Sequence, residues 1–317
     1  MSVLMKFSLA LCSLLALSVI LLGNAYSFNF PALIDYKGTI ILVSLFGSLA
    51  VVYTYIRPEK LIAPPCWSIA IYSLFIPSSV MLTQIVGSFN FPLTDKYLAS
   101  FDRMLGFDWP SAMAAFAELP EWVSIASTNL YGSSIYFTIL VALFLIFTRQ
   151  NRRLDEFVTF FILTGIITII ISGFAPAESA YEYFKLDAAI YDRLSPVVGN
   201  GYMNDFYALR DGSLRELKVI ETQGIISFPS FHTINALLLI YVMRGNGLLF
   251  AITAVWNIGI VITTPFDGAH YITDVIGGGL VLALVIVLLR WLEPHLNRIF
   301  SSRPAKKQPS PQAVLTS

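Results

Sequence analysis

The sequence predicts an all-α integral membrane protein, built as a bundle of about eight transmembrane helices. Of its 317 residues, 56% are hydrophobic and only 13% are charged, whereas about a quarter of the residues in a soluble domain are charged. Eight apolar runs are long enough to cross a bilayer core, which needs about 20 residues per helix. A main chain in lipid must satisfy its hydrogen bonds internally, so these runs must be helices.

Acidic and basic residues are equal in number, 20 each, which gives no support for nucleic-acid binding.

The eight runs divide the chain into three parts. Residues 1–65 hold the first two predicted transmembrane helices. The first is expected to be retained, as a signal anchor; the alternative is a signal peptide cleaved at Gly-Asn-Ala over 23–25. Residues 66–292 form a membrane-embedded catalytic core with long outer loops at 89–122 and 176–227. Residues 293–317 are rich in proline, serine and lysine and are predicted to be a disordered cytoplasmic tail. In order, the runs are roughly 7–25, 38–56, 66–88, 123–148, 156–175, 228–244, 247–265 and 270–291.

The positions of lysine and arginine predict the orientation of the bundle. The short connections near residues 57–60, 149–153 and 244 carry basic residues and all fall on one side, which marks that side as cytoplasmic. We therefore expect a multi-pass protein of the plasma (inner) membrane, with both termini in the cytoplasm and the two long loops outside. In the first of these loops, residues 101–110 mix aromatic and charged side chains, which is typical of an amphipathic segment at the membrane surface.

Two of the three histidines stand at the outer ends of predicted helices, and the first is His232. It lies in the sequence Ser-Phe-Pro-Ser-Phe-His-Thr over 227–233. Pro229 suits the first turn of a helix, and Ser227 or Ser230 can cap that helix. The free main-chain N–H groups of such a helix end form an anion site of the kind that holds phosphate.

The second histidine, His270, begins the eighth run and precedes Asp274 by four residues. On a helix this spacing places both side chains on one face, where they can hydrogen-bond. A carboxylate on one ring nitrogen leaves the other nitrogen as a nucleophile or base. The glycines at 277–279, one turn further on, permit close approach of a neighbouring helix, which predicts that the sixth run packs there. The third histidine, His295, lies on the opposite side and is not a site candidate.

Together the two histidine motifs resemble the type 2 phosphatidic acid phosphatase superfamily. Phe-Pro-Ser-Phe-His at 228–232 is followed by His-Tyr-Ile-Thr-Asp at 270–274, and the closest likeness is to the inositol phosphorylceramide synthase branch. The resemblance covers about 205–291 and implies a six-helix phosphatase-like core with its active site at the outer membrane face. It implies that His270, the first residue of the second motif, forms a phosphohistidine. It implies no metal or cofactor. The resemblance implies that His270 is the nucleophile and that Asp274 is the carboxylate that orients it. It also implies that His232 is the general acid and that Ser230 binds the phosphate.

The chain departs from the phosphatase branch at one cation. That branch has arginine six positions before the nucleophilic histidine, where this chain has Thr264. A guanidinium can bind phosphate through two parallel hydrogen bonds. We therefore expect Arg210 and Arg215, just ahead of the first motif and on the same side, to bind the substrate phosphate.

These residues predict a membrane lipid phosphatase or phosphotransferase. Its partners are a lipid phosphate in the bilayer and, for transfer, an alcohol acceptor such as a ceramide or diacylglycerol hydroxyl. Two other interpretations stay open. One is a zinc-dependent intramembrane hydrolase with His232, His270 and Asp274 as ligands, and the other is a non-enzymatic transporter or lipid-binding scaffold.

Overall fold

A computed structural model describes residues 1–185, 187–194, 196–197, 201–219 and 226–300. Within these ranges the chain forms helices and no strand, with one isolated parallel bridge between Asn29 and Glu216. A short 3₁₀ segment, Leu33–Tyr36, precedes the second α-helix, and a π-helical segment, Val52–Ile56, follows it. The α-helices are α1 (Val3–Ala25), α2 (Lys37–Val51), α3 (Ala63–Gly87), α4 (Asp95–Met104), α5 (Trp109–Ala117), α6 (Glu121–Gly132), α7 (Ser134–Phe147), α8 (Asn151–Phe174), α9 (Ala180–Phe184), α10 (Ala188–Leu194), α11 (Tyr202–Asp211), α12 (Phe231–Met243), α13 (Leu248–Asp267) and α14 (Ile272–Phe300).

The predicted class, an all-α membrane protein, is confirmed. In the described part of the chain, six helical segments are long and apolar enough to cross a membrane, and α6 with α7 forms a seventh candidate that is bent. The helix of the sixth predicted run, α12, is apolar but only 13 residues long. The six straight segments are Val3–Ala25, Leu33–Ile56, Ala63–Gly87, Asn151–Phe174, Leu248–Asp267 and Ile272–Phe300.

The fourth predicted run, 123–148, is not one straight helix. It is divided between α6 and α7, which meet at Ser133 with an angle of 46°. Gly132 and two serines occupy this junction, and glycine–serine pairs are a common cause of helix kinks. The hydroxyl of Ser133 donates to the carbonyl of Leu130 (2.6 Å) and accepts from the Trp256 indole (2.9 Å), which fixes the bend against α13.

Helix α8 is the central helix of the bundle and packs against α1, α3, α12 and α14. Most of its side chains between Leu154 and Ile169 are buried. The first helix is part of this core, since the hydroxyls of Ser8 in α1 and Thr159 in α8 hydrogen-bond at 2.9 Å. Burying a polar pair between two apolar helices is favourable because each hydroxyl satisfies the other.

The last helix extends past the start of the predicted tail. Residues 293–300 are helical and include Pro294. Leu296 is buried, and the Lys6 ammonium donates to the carbonyl of Phe300 at 2.8 Å, so packing and a helix C-terminal cation hold this last turn. Residues 301–317, the rest of the predicted tail, lie outside the described residues.

The bundle has two chemically different ends. We call the end that carries the first turns of α12 and α14 the histidine end, and helices α4, α5, α9, α10 and α11 belong to the loops that join there. At the opposite end, Glu156 binds both Arg152 (3.3 Å) and Arg244 (2.5 Å), and Arg152 also contacts Glu293 (3.4 Å).

Candidate active site

His270 and Asp274 form the hydrogen bond that their spacing predicts. Nδ1 of the histidine lies 3.0 Å from Oδ2 of the aspartate. The same oxygen accepts from the Ser227 hydroxyl (2.9 Å) and from the main-chain N–H of Tyr271 (3.0 Å). The aspartate is fully buried and His270 is 5% exposed. Because Nδ1 is engaged, Nε2 is the ring nitrogen that is left for chemistry.

The predicted placement of His270 on a helix face is wrong, because α14 begins only at Ile272. The buried carboxylate of Asp102 in α4 accepts from the main-chain N–H groups of Ile272 (2.9 Å) and Thr273 (2.8 Å). A carboxylate in this position acts as an N-cap and fixes where the helix starts. The histidine therefore lies in the connection before the helix and reaches down to the carboxylate in its first turn.

Both long loops hold the connection that precedes α14. The Trp109 indole donates to the carbonyl of His270 (3.2 Å), and the N–H of Ala180 donates to the carbonyl of Ala269 (2.9 Å). Ala269 has a φ of +56°, a left-handed conformation that costs an L-residue roughly 1–2 kcal/mol. The predicted amphipathic segment 101–110 thus supplies a tryptophan and an aspartate that position the second motif.

His232, in the first turn of α12, hydrogen-bonds to a residue that the sequence analysis missed. Its Nδ1 lies 3.0 Å from the hydroxyl oxygen of Tyr131, and the two rings stack with centroids 4.4 Å apart. Tyr131 is 1% exposed and is the second-last residue of α6, two positions before the bend at Ser133. The sequence near Tyr131 gives one indication of a special position, the glycine and serine pair that follows it. The contact itself could not be predicted, because its partner lies 101 residues away in the sequence.

The start of α12 is capped by Ser230. Its hydroxyl accepts from the main-chain N–H of Thr233 at 3.4 Å, so one of the two predicted caps is confirmed. The predicted place of Pro229 in the first turn is wrong, since the cap follows it and the helix begins at Phe231. Among the described residues, the N–H groups of Phe231 and His232 have no acceptor, which leaves the helix N-terminus open to an anion.

Glycines in α14 bring the two histidine motifs together, as predicted from the run 277–279. A Cβ atom added to Gly278 would lie 2.5 Å from the carbonyl oxygen of Ser230, and one added to Gly277 would lie 2.7 Å from the Phe228 ring. The N–H of Ser230 also donates to the main-chain carbonyl of Asp274 at 3.1 Å. The start of α12 therefore rests directly on the first turns of α14.

Both histidines line a cavity of about 240 Å³ at this end of the bundle. Its other walls come from α3 and α8 and are mainly apolar. Helix α3 precedes the segment that carries the two motifs, so the sequence analysis did not connect it with the site. The apolar wall residues include Phe75, Ile76, Val80, Phe161 and Ile169.

The two predicted phosphate-binding arginines belong to α11 and the segment after it. The guanidinium of Arg210 donates to the carbonyl of Phe91 (2.8 Å) and lies 5.4 Å from the Phe206 ring. The guanidinium of Arg215 lies 5.0 Å from the Phe28 ring and donates to the carbonyl of Leu209 (3.2 Å). In the part of the chain that the structure describes, neither guanidinium contacts a histidine, and their phosphate role stays a prediction.

The position of the missing family arginine is filled by a side chain without charge. Thr264 is fully buried, and its hydroxyl donates to the carbonyl of Ile260 at 2.8 Å. The structure thus has no cation at this position, in agreement with the departure from the phosphatase branch seen in the sequence.

The described residues include no group of three histidine, cysteine, aspartate or glutamate side chains that could hold a metal ion. The zinc interpretation requires both site histidines and Asp274 as ligands. Oδ2 of Asp274 instead accepts three hydrogen bonds from protein donors, and Nδ1 of His232 faces Tyr131. These contacts engage Oδ2 of the aspartate and Nδ1 of each histidine, and the zinc interpretation stays an untested alternative.

A second buried carboxylate, Asp95 in α4, supports the residue next to His270. It accepts from the Tyr271 hydroxyl (2.9 Å) and from the N–H of Glu178 (3.1 Å), and it is 2% exposed. Burial raises the pKa of Asp95 from its usual 3.8 to about 6. Between these two pH values the folded protein binds more protons than the unfolded chain, so stability falls as the pH rises from 4 to 6.

We expect Asp95→Asn to reduce this pH dependence by the share that Asp95 contributes. The shift in pKa corresponds to about 3 kcal/mol of stability lost by the wild type as the pH rises through this window, and a neutral amide cannot lose it. The measurement is the unfolding midpoint of detergent-solubilised protein from pH 4 to 7, with the exposed carboxylate variant Asp35→Asn as control. Equal pH slopes in Asp95→Asn and wild type would contradict the assignment.

Comparison with known proteins agrees with the superfamily resemblance of the two motifs. No curated protein and no solved structure matches the chain, and nothing in the comparisons separates the inositol phosphorylceramide synthase branch from the rest. A family model described as PAP2 superfamily matches residues 96–289, a segment that runs from α4 almost to the end of α14. Since this match covers more than half of the chain, the protein belongs to the PAP2 superfamily, and this membership supports a phosphatase-type membrane enzyme.

Proposed function

We propose that this protein cleaves or transfers a phosphoryl-containing group of a membrane lipid through a phosphohistidine at His270. The observation that carries the proposal is the hydrogen bond between His270 Nδ1 and the buried Asp274 carboxylate, at a cavity that His232 also lines. A nucleophile oriented by a carboxylate, with a second histidine beside it, is a suitable arrangement for phosphoryl transfer, which depends mainly on positioning and charge stabilisation.

In the proposed first step, Nε2 of His270 attacks phosphorus and the bond from phosphorus to the lipid oxygen breaks. The leaving oxygen takes its electron pair and receives a proton from Nε2 of His232. Asp274 stabilises the positive charge on the phosphorylated ring through Nδ1. In the second step, water or an alcohol attacks phosphorus, its proton passes to Nε2 of His232, and the bond from phosphorus to nitrogen breaks.

The phosphoryl oxygens are proposed to bind at the N-terminus of α12. Ser230 caps this helix and so orients the open N–H groups of the first turn, which suit an anion. Arg210 and Arg215 remain the proposed cations, because they belong to the segments at the same end of the bundle and a guanidinium binds phosphate strongly.

The apolar walls of the cavity support a lipid as substrate. A hydrocarbon chain between α3 and α8 would be in contact with phenylalanine, isoleucine and valine side chains while its phosphate lies near the histidines. The basic residues of the opposite end favour a cytoplasmic position for that end, which supports the proposal of a site at the outer face of the plasma membrane.

Hydrolysis and transfer differ only in the group that resolves the phosphohistidine. The test is phosphate release from a panel of lipid phosphates by purified protein in EDTA, with and without ceramide or diacylglycerol as acceptor. Free phosphate without acceptor supports a phosphatase. With a phosphodiester lipid as donor, a new phosphodiester that forms only when an alcohol acceptor is present supports the inositol phosphorylceramide synthase-like alternative, whereas transfer from a phosphomonoester would give a new monoester of the alcohol. No product in any mixture would contradict both.

A further inference from the structure

We propose that Tyr131 is a positioning residue that holds His232 in the tautomer with its proton on Nδ1, so that Nε2 can give and take the proton of the reaction. The inference rests on the function proposed above. Tyr131 belongs to neither histidine motif and comes from α6, which is distant from both in the sequence.

The contact that carries the inference is specific and partly buried, between the buried Tyr131 and the less buried His232. The Tyr131 oxygen lies 3.0 Å from His232 Nδ1, and the rings stack at 4.4 Å. In the described residues this is the one hydrogen bond recorded for either group. A ring nitrogen that is shielded by the stacked tyrosine and has lost its partner would be costly, so the hydroxyl determines which edge of the imidazole faces the protein and which is left for the substrate.

The same hydroxyl also lies against the connection that carries His270. A Cβ atom added to Gly268 would lie 2.5 Å from the Tyr131 oxygen and 2.8 Å from Cδ2 of His270. Only a residue without a side chain leaves room for both groups. Tyr131 thus contacts one histidine directly and the backbone next to the other, which fixes their relative position.

The proton balance of the proposed reaction determines the direction of the hydrogen bond. His232 must lose a proton from Nε2 when the lipid oxygen leaves and must regain one there from water or an alcohol. Between these steps the ring is neutral with Nε2 unprotonated, so its remaining proton must be on Nδ1. The N–H at Nδ1 then donates to the Tyr131 oxygen in both states, and the phenol never has to ionise.

Tyr131→Phe removes the hydroxyl and keeps the stacked ring, so it separates positioning from packing. We expect kcat for dodecyl phosphate to fall about 10- to 100-fold with KM unchanged, a part of the roughly 10²- to 10⁴-fold effect of a general acid. For 4-dodecyl-2-nitrophenyl phosphate, whose leaving group departs without a proton, we expect a change of less than about twofold in the cleavage step. The control is Tyr202→Phe, which loses a partly buried tyrosine hydrogen bond to Ser179 at this end of the bundle and should leave both substrates unaffected.

Equal losses with both substrates would mean a packing role and would overturn the proposal. A second measurement uses the ¹⁵N resonances of protein labelled at its histidines, of which the chain has three. The His232 resonances are assigned by their loss in His232→Ala. We expect His232 protonated at Nδ1 in the wild type and a mixture of tautomers in Tyr131→Phe. An unchanged tautomer would overturn the inference, whereas wild-type protein that gives neither free phosphate nor a transfer product from any lipid would overturn the proposed function.

Discussion

Replacing His270 with alanine is expected to reduce phosphate release from lipid phosphates by about 10⁴-fold or more. The imidazole is the proposed nucleophile, and removal of a nucleophile leaves only the binding and charge-stabilising parts of a site. The neighbouring carboxylate keeps two of its three donors, Ser227 and the N–H of Tyr271. We therefore expect the fold to persist with a loss of stability of about 1–3 kcal/mol from the missing hydrogen bond.

The control variant is His295→Ala. His295 lies in the last turns of α14, and its Nδ1 is 3.3 Å from the carbonyl oxygen of Trp291 in the same helix. Its removal tests whether loss of any histidine in this small set disturbs the protein. We expect wild-type phosphate release and an unfolding midpoint close to that of the wild type.

A trapped intermediate makes the His270 test specific. Wild-type protein mixed with lipid labelled at phosphorus and quenched in base should carry a base-stable, acid-labile label, as expected for a phosphohistidine, and His270→Ala should carry none. Phosphate release by His270→Ala above one tenth of the wild-type rate would remove this residue from the proposed role. Retained biological activity without phosphate release would support the transporter or scaffold interpretation.

The helices were predictable because a lipid environment requires them. A main chain in hydrocarbon must hydrogen-bond within its own segment, so each long apolar run predicted a helix whatever its tertiary contacts. The ends of these helices were less predictable. The beginning of α14 depends on Asp102, a cap supplied from 170 residues earlier in the chain, and the bend at Ser133 depends on side-chain contacts with α13.

The site was predictable where its contacts are local. The spacing of His270 and Asp274 predicted their hydrogen bond, and the glycine run predicted the approach of α12. Tyr131 was not predictable, because a tyrosine inside the apolar run 123–148 is unremarkable until folding brings it to a histidine. The same holds for the cavity walls from α3, which lies outside the segment matched by the PAP2 superfamily.

The glycines of α14 offer the sharpest test of how the two motifs are held together. Gly278→Ala would place a methyl group 2.5 Å from the main-chain oxygen of Ser230 and 3.2 Å from Cβ of Thr233. Neither atom is at the free end of a flexible side chain, so the start of α12 must move. We expect a net loss of about 1–3 kcal/mol in stability and, because a shift of about 1 Å between catalytic groups can cost about 100-fold in rate, a comparable loss of phosphate release.

Gly279→Ala is the matched control in the same helix turn. Its new methyl group would lie 3.6 Å from a terminal carbon of Leu237, which is an ordinary contact. Alanine favours a helix over glycine by up to about 1 kcal/mol, so this variant should be at least as stable as the wild type and retain its phosphate release. Thermal unfolding in detergent and the phosphate assay measure both effects. Equal behaviour of the two variants would contradict the close packing of α12 on α14, and with it the geometry that puts His232 beside His270.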